Sequence, residues 1–221
     1  MSLYQIVYTR LCKPIISVYL RFNVPYRYNG FRLKIFPGVF HPGFFFSTKA
    51  LYRFISAMEL KNKTFLEVGS GSGLLSLLAY RMGAIVTAID KDVTAVENTR
   101  FNFQNNFAST NASILQSDLF AELGLQKFNF IIINPPYFFK KVEHRHQLAW
   151  YCGENGEYFE QLFSGLAAHL EPKADCYMIL ADNCDVPLIE SIAKRHKIYF
   201  ILAATTKAKW ETNYIFKLDV N

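Results

Sequence analysis

The chain has 221 residues, of which 51% are apolar and 16% aromatic, and its net charge is +6. This length suits one globular domain with a small extension, and the composition excludes disordered and low-complexity classes. The apolar residues 3–20 are interrupted by Arg10, Lys13 and Pro14, which argues against a membrane span and predicts a packed, kinked helix over residues 2–22. Four scattered cysteines without ligand spacing indicate reduced thiols in a cytoplasmic protein and no metal site.

Charge is distributed unevenly along the chain. Residues 1–61 contain nine Lys and Arg residues and one acid, Glu59, for a net charge of +8. The remainder contains 15 basic and 17 acidic residues, for a net charge of −2. The basic N-terminal third suggests that an anionic partner binds there, and a solvated charged face is the equally weighted alternative.

Two elements are predicted in this basic third and just after it. Aromatic-rich runs on both sides of Asn29-Gly30 predict a β-hairpin, since both central residues accept positive φ. A helix is predicted from an N-cap at Ser47 or Thr48 to about Leu60.

Strands and helices alternate from Thr64 onward. In chain order the segments are TFLEVG, a strand; LLSLLAYRM, a helix ended by Gly83; AIVTAID, a strand; a helix to about Asn105; the strands ASILQSD and FNFIIIN; a helix over about residues 157–170; the strand CYMILAD; the helix PLIESIAKRH; and the strands YFILAAT and TNYIFKLDV. The short connection between the last two predicts an antiparallel hairpin. The sequence thus predicts a Rossmann-like, doubly wound α/β domain with a mostly parallel seven-stranded sheet over residues 47–221, preceded by a basic helix-and-hairpin extension over residues 1–46.

A glycine-rich loop follows the first strand of this domain. LEVGSGSG places Gly69, Gly71 and Gly73 where the chain turns sharply and where the N–H groups of a helix start can bind a ligand. The spacing differs from the dinucleotide pattern G-x-G-x-x-G, which argues against a dehydrogenase. Asp90 ends the next strand, placed for two ribose hydroxyls, and Asp118 ends the third, placed for an adenine amino group; helix capping is the alternative role for both.

The fourth strand ends in Asn134-Pro135-Pro136-Tyr137, and the two prolines keep the backbone there extended and stiff. A planar NH2 nitrogen is a poor nucleophile because its lone pair is delocalised. The side-chain oxygen of Asn134 and the carbonyl of Pro135 can hold its two N–H bonds and direct the lone pair at a methyl group, with the Tyr137 ring against the flat target. A proline-rich turn capped by Asn is the alternative, which the preceding glycine loop and Asp90 disfavour.

In this order, the glycine loop, Asp90, Asp118 and NPPY resemble the class I S-adenosylmethionine-dependent methyltransferases of the NPPY group (methyltransferase small domain, HemK/PrmC-like) over about residues 39–220. The resemblance implies S-adenosylmethionine as the cofactor and S-adenosylhomocysteine as its product. It implies that the glycine loop binds the amino-acid end of the cofactor, near Glu67, and that Asp90 binds the ribose. That group contains adenine-N6 methyltransferases of DNA and RNA as well as glutamine-amide methyltransferases.

Residues 148–163, LAWYCGENGEYFEQLF, bear on the substrate because they resemble the HemK/PrmC-type pattern, with Cys152 in place of a glycine. The segment VFHPGFFFST over residues 39–48 lacks the arginine and acid of that group, and PGVF over 37–40 resembles ribosomal-RNA guanine-N2 methyltransferases. The resemblance therefore implies a glutamine amide of a protein such as a translation factor. The alternative is an amino group of RNA or DNA, adenine N6 or guanine N2.

Two basic groups are predicted to contact this substrate. Their members are Arg27, Arg32 and Lys34, in or beside the hairpin, and Lys140, Lys141 and Arg145, after NPPY. If the hairpin folds over the mouth of the site, both groups line one entrance and attract RNA or a ribosome-associated protein. A non-catalytic RNA-binding domain is the remaining alternative, which the intact loop and NPPY disfavour.

Overall fold

The computed structural model describes residues 22–144, 147–208 and 211–220, so the helix predicted before the hairpin lies outside the described residues. The strands are β1 (Val24–Tyr28), β2 (Phe31–Ile35), β3 (Thr64–Val68), β4 (Ile85–Asp90), β5 (Ser113–Gln116), β6 (Phe128–Ile133), β7 (Leu170–Ala181), β8 (Ile198–Ala208) and β9 (Glu211–Val220). The helices are α1 (Phe46–Ile55), α2 (Leu74–Arg81), α3 (Val93–Asn106), α4 (Glu157–Leu166) and α5 (Val186–Arg195), with a 3₁₀ turn over Ala167–His169. No helix in these ranges is long and apolar enough to cross a bilayer.

The central sheet has seven strands in the order β5-β4-β3-β6-β7-β9-β8. Strands β3 to β7 pair in parallel, whereas β9 pairs antiparallel with both β7 and β8. The predicted mostly parallel sheet with an antiparallel C-terminal hairpin is confirmed. The chain runs outward from β3 to β5 and returns to β6 on the other side of β3. The loops after β3 and β6 therefore diverge, and a crevice for ligands opens between them.

Two apolar layers cover the sheet. Alternate strand residues such as Phe65 and Leu66 belong to different layers, as the two-residue period of a strand requires. Helices α1, α2 and α3 pack with the hairpin on one face, and α4 and α5 pack on the other. The hairpin thus shares a hydrophobic core with the sheet, and the boundary between residues 46 and 47 stays a prediction.

The β1–β2 hairpin is confirmed, with Asn29 at φ 45° and Gly30 at φ 86° in its turn. Side-chain amides of α3 bond the outward edge of β2. Asn102 Oδ1 accepts from the Lys34 N–H at 2.8 Å, and Asn98 accepts from the Phe36 N–H at 2.8 Å and donates to the Lys34 carbonyl at 2.6 Å. The Arg32 N–H and carbonyl both bond the Asn106 amide at 2.9 Å. Hydrogen bonds therefore fix the hairpin on α3.

Several predicted boundaries are wrong. Helix α1 begins after Phe45 without a side-chain cap and ends at Ile55 rather than Leu60; Ser47 and Thr48 do not cap it because both are buried within its first turn. Strand β5 ends at Gln116, two residues before Asp118. Helix α4 ends at Leu166, and β7 begins at Leu170 instead of Cys176. Strands β8 and β9 are longer than predicted because they pair with each other up to Ala208 and Glu211.

Candidate active site

A cavity of about 470 Å³ lies at the carboxyl ends of the parallel strands, within the size range of small-molecule sites. Its walls include the glycine loop after β3, Asp90 at the end of β4, Asp118 after β5 and residues 134–138 after β6. Residues 38–40 and 148–154 also line it. The fold thus brings the predicted cofactor residues and NPPY around one space.

The glycine loop follows β3 in a conformation that favours glycine. Gly69, Gly71 and Gly73 have φ values of 79°, 51° and 76°. A Cβ on Gly73 would lie 2.8 Å from Thr99 Cγ2, so this glycine allows α3 to pack closely. A Cβ on Gly69 would lie 4.0 Å from the Asn134 carbonyl oxygen, which places NPPY beside the loop.

Helix α3 also holds the loop through side chains that the sequence did not single out. Thr99 Oγ1 donates to the Gly71 carbonyl at 3.1 Å and bonds Ser70 Oγ at 3.0 Å. Asn102 Nδ2 donates to the Ser72 carbonyl at 2.9 Å. Both Thr99 and Asn102 are fully buried. The loop is therefore shaped in advance of any ligand.

Glu67 lies on β3 and lines the cavity. Its Oε2 accepts from the Ser76 N–H at 2.9 Å and from the Ser76 hydroxyl, in the first turn of α2. Glu67 thus caps a helix whose N-cap, Gly73, has no side chain. Burial raises the pKa of Glu67 to about 8, an effect that the Ser76 bonds oppose and the nearby Asp90 increases.

Asp90 is held with both oxygens engaged. Its Oδ2 accepts from the Gly71 N–H and its Oδ1 from the Asp92 N–H, both at 2.9 Å. Burial raises the pKa of Asp90 to about 6, although these N–H bonds favour the ionised form. Each carboxylate oxygen keeps a further lone pair for a ligand hydroxyl.

Asp118 lies farther out on the same wall, in an ion pair of 2.6 Å with Lys91, and both line the cavity. Tyr158, on α4, also lines it. Burial raises the pKa of the Tyr158 hydroxyl, and the negative charges of Asp90 and Asp118 raise it further. In the sequence Tyr158 stands out only within a family pattern, and the fold adds it to this end of the cavity.

Asn134 directly follows β6 and lines the cavity, and its Nδ2 donates to the Thr48 hydroxyl at 3.3 Å. This bond uses the amide nitrogen and leaves the amide oxygen as an acceptor, which is the role predicted for it. Pro135, Pro136 and Tyr137 line the cavity as well. Burial raises the pKa of the Tyr137 hydroxyl, so this phenol is neutral at physiological pH.

Backbone hydrogen bonds join NPPY to the 148–154 segment. The Phe138 N–H donates to the Trp150 carbonyl and the Cys152 N–H to the Phe138 carbonyl, both at 3.0 Å. A short parallel bridge between Phe138 and Tyr151 results. The two sequence patterns that bear on the substrate therefore meet in one wall.

Three half-buried aromatic rings form a cluster at this wall: Phe40, Phe45 and Trp150. Their centroids are 4.4 Å (Phe40–Phe45), 5.0 Å (Phe40–Trp150) and 4.5 Å (Phe45–Trp150) apart. Phe40 and Trp150 line the cavity, and Phe45 directly precedes α1, which carries Thr48. In the sequence these three residues stand out only within family patterns.

The two basic groups do not meet in one lining. Lys141 lines the cavity, and Lys140 lies 5.6 Å from the Tyr151 ring centroid. Arg27, Arg32 and Lys34 instead line a separate depression between the hairpin and α3. Arg145 lies outside the described residues. The expectation of one shared entrance is therefore wrong, while the contribution of each cation to substrate binding stays a prediction.

Among the described cysteines, Cys152 lines the cavity, whereas Cys176 and Cys184 lie outside its lining. Cys152, Cys176 and Cys184 are free thiols, and burial raises the pKa of each. Within the described ranges, no group of three or more His, Cys, Asp or Glu residues is placed to hold a metal ion.

The donors and acceptors around the cavity fit S-adenosylmethionine. The first turn of α2 presents backbone N–H groups at the cavity, and Asp90 offers oriented carboxylate oxygens for ribose hydroxyls. Burial raises the pKa values of Glu67 and Asp90, and a ligand that brings positive charge would oppose this effect by favouring the ionised form of both carboxyl groups. The residues predicted for the cofactor thus have the chemistry that it needs.

Comparisons with known proteins agree with this geometry. Over 171 residues, the chain is 30% identical to a tRNA1(Val) (adenine(37)-N6)-methyltransferase of Shewanella halifaxensis, covering 71% of this chain and 66% of that protein. Over 109 residues, it is 33% identical to a Methanocaldococcus jannaschii protein assigned as an N5-glutamine methyltransferase, covering 49% of this chain and 52% of the relative. The chain thus spans about half to two thirds of these relatives' lengths.

A solved methyltransferase of Pyrococcus furiosus has the same fold, with a TM-score of 0.64 at 18% identity over 95% of this chain and 98% of that one. The model of the protein family called methyltransferase small domain matches residues 31–180 of this chain. The predicted resemblance to class I S-adenosylmethionine-dependent methyltransferases is confirmed, and the chain belongs to the methyltransferase small domain family.

Proposed function

We propose that the chain transfers a methyl group from S-adenosylmethionine to a planar NH2 nitrogen of a macromolecule. The observation that carries the proposal is the Asn134–Thr48 hydrogen bond at 3.3 Å, in a wall shared with the glycine loop. It keeps the Asn134 amide oxygen as an acceptor in the cavity. When bound, S-adenosylmethionine supplies a methyl group on a sulfonium sulfur, which leaves as a neutral thioether.

The residues of the chain then position the acceptor nitrogen. Asn134 Oδ1 and the Pro135 carbonyl each accept one N–H bond of the substrate, so that the nitrogen lone pair points at the methyl carbon. A new N–C bond forms as the C–S bond breaks, and the electron pair of that bond stays on sulfur. The methylated nitrogen is acidic and loses its proton to water, so no side chain serves as a strong base.

The aromatic cluster favours a nucleobase as the bearer of this NH2. Phe40 and Trp150 line the cavity, and the Tyr137 ring adds a further flat surface beside Asn134. Stacking of a base on such rings stabilises binding by about 1–3 kcal/mol. The tRNA adenine-N6 relative, which matches more of this chain than the glutamine relative does, supports the same choice.

A glutamine amide is the second candidate and was the first choice from sequence. The observation that favours it is the bonding of Phe138 to Trp150 and Cys152, which joins NPPY to the segment resembling glutamine methyltransferases. The N5-glutamine relative supports it too, over 49% of the chain.

Transfer of tritiated methyl groups tests both candidates. The full chain is incubated with [methyl-³H]S-adenosylmethionine and with separate RNA, DNA and protein fractions of a lysate, and the labelled product is identified after hydrolysis. N6-methyladenosine or N2-methylguanosine is expected, and N5-methylglutamine would establish the second candidate. The Asn134→Ala variant is the control. Label in none of the fractions, or label that persists in this variant, would contradict the proposed function.

A further inference from the structure

We infer that the outer face of the β1–β2 hairpin binds the phosphate backbone of RNA. The inference rests on the proposed function with a nucleobase as the methyl acceptor, and it assigns a binding surface to the part of the RNA outside the cavity. The surface consists of Arg27, Arg32 and Lys34 around a depression of about 290 Å³ between the hairpin and α3.

The first observation is the arrangement of the positive charges on this surface. Arg27 pairs with Arg32 across the two strands, and Pro25 pairs with Lys34, so the three cations share one face. Like charges directly opposite each other destabilise a sheet. Within the described part of the chain, every ion pair is formed by other residues. The cluster is therefore left uncompensated, as a surface for an anion would be.

The second argument is that the cations are held on a rigid support. The backbone of Arg32 and Lys34 is bonded to Asn102 and Asn106 of α3, while the charged ends of their side chains take no part in these bonds. Asn102 also bonds the glycine loop. A ligand on the hairpin is thus held by the same helix that shapes the cofactor loop.

Aromatic rings lie among these cations. Lys34 Nζ lies 5.2 Å from the Phe101 centroid and 5.9 Å from the Phe36 centroid. Both rings are half-buried, so each keeps some accessible surface. Basic residues interleaved with aromatic rings are typical of surfaces that bind single-stranded nucleic acid.

These features favour RNA over an acidic peptide. Arg32 and Lys34 are two residues apart on one strand, about 7 Å, which suits a regular chain of phosphates. A peptide of Asp and Glu residues has no aromatic ring to stack on Phe36 and Phe101. The chain runs from Lys34 to Phe40, a residue of the cavity wall, in six residues. An RNA strand can therefore place one base in the cavity while its flanking phosphates contact the hairpin.

Fluorescence anisotropy with a labelled 20-nucleotide polyuridine tests the inference on the full chain. Arg27→Ala/Arg32→Ala is compared with Lys127→Ala/Lys207→Ala, which removes the same charge from exposed positions in the loop before β6 and on β8. We expect the hairpin variant to bind about tenfold more weakly and to lower the slope of log Kd against log salt by about 2. The control variant retains the wild-type slope, and polyglutamate of equal length competes poorly.

Equal losses in the two double variants would overturn the inference, as would competition by polyglutamate as effective as that by RNA. S-adenosylhomocysteine affinity, measured by calorimetry, stays at the wild-type value in both variants and shows that they are folded. Because anisotropy requires no catalysis, the measurement distinguishes failure of RNA docking on the hairpin from failure of the proposed function. A chain that binds RNA through the hairpin but methylates only protein would contradict the nucleobase substrate and leave the docking surface supported.

Discussion

Cofactor affinity should depend on the protonation of Asp90. Its two oxygens are oriented by the N–H groups of Gly71 and Asp92, and the ionised form is the better acceptor for ribose hydroxyls. Burial raises its pKa to about 6, so the fraction ionised falls to about one tenth at pH 5. Because one pH unit corresponds to about 1.4 kcal/mol, the Kd for S-adenosylhomocysteine should be about tenfold higher at pH 5 than above pH 7.

Isothermal titration calorimetry between pH 5 and pH 7.5 measures this effect. The Asp90→Asn variant retains the shape of the side chain and loses the charge. At pH 7.5 we expect its binding to be weaker by about 1.5–3 kcal/mol, the usual value of a hydrogen bond to a charged group. Its affinity should change little down to pH 5. Glu67 does not confuse the comparison, because its pKa of about 8 keeps it protonated over most of this range.

Asp219→Asn is the matched control, since Asp219 is exposed on β9 and lies outside the cavity lining. It removes the same charge and should reproduce the wild-type pH dependence. A wild-type Kd that stays constant from pH 5 to pH 7.5 would refute the reasoning. Unchanged affinity in Asp90→Asn at pH 7.5 would refute the assignment of Asp90 to the ribose.

Three further predictions concern other residues of the site. Thr48→Val should lower kcat about three- to tenfold with the cofactor Kd unchanged, because it removes one 3.3 Å hydrogen bond to Asn134. The same change should cause no further loss in an Asn134→Ala background, and Thr48→Ser should restore turnover. Additive losses in the double variant would contradict the coupling of the two residues. Without ligand, the Glu67 pKa of about 8 lies above its ordinary value of 4.5, so its contribution to stability is lost as pH rises between these two values and changes little above 8; between pH 5 and pH 8 the Tm of the wild type should fall relative to that of Glu67→Gln, and parallel curves would exclude this. Gly73→Ala should destabilise the fold by about 1–3 kcal/mol in urea unfolding, since its Cβ would lie 2.8 Å from Thr99 at a φ of 76°, and a wild-type midpoint would show that the loop relaxes.

The glycine loop and NPPY could be predicted because local chemistry determines them. Only glycine adopts positive φ readily at positions 69, 71 and 73, and Pro135 and Pro136 end a strand wherever they occur. The order of strands and helices then places both motifs at one edge of the sheet. This part of the site follows from short stretches of sequence and the general rules of parallel sheets.

The supporting residues could not be predicted, since their partners are distant in sequence. Thr48 and Asn134 are 86 positions apart, and the sequence suggested a helix cap for Thr48. Asn98, Asn102 and Asn106 are four residues apart on α3 and look like an ordinary polar helix face. Their partners are backbone groups of β2, which leave no signal in residue identity.

The expectation that the hairpin lies over the mouth of the site is wrong for the same reason. The sequence predicted its turn from Asn29-Gly30 but contained nothing that located it relative to the cavity. Its position depends on packing of Phe31, Leu33 and Ile35 in the core shared with α3. Hydrophobic contacts are not directional, so an alternating strand pattern identifies the buried face without identifying what covers it.

The asparagine contacts on β2 have a consequence for self-association. A carboxamide carries a donor and an acceptor, as a peptide group does, so the side chains of α3 act as a surrogate third strand along an edge that would otherwise be open. An isolated two-stranded hairpin is marginally stable, and its free edge is a template for pairing with another molecule. Replacing Asn98 and Asn102 by leucine would keep the bulk of the helix face but leave N–H and carbonyl groups of that edge without partners. Such a variant should form more strand-paired dimers or aggregates than the native chain at the same concentration.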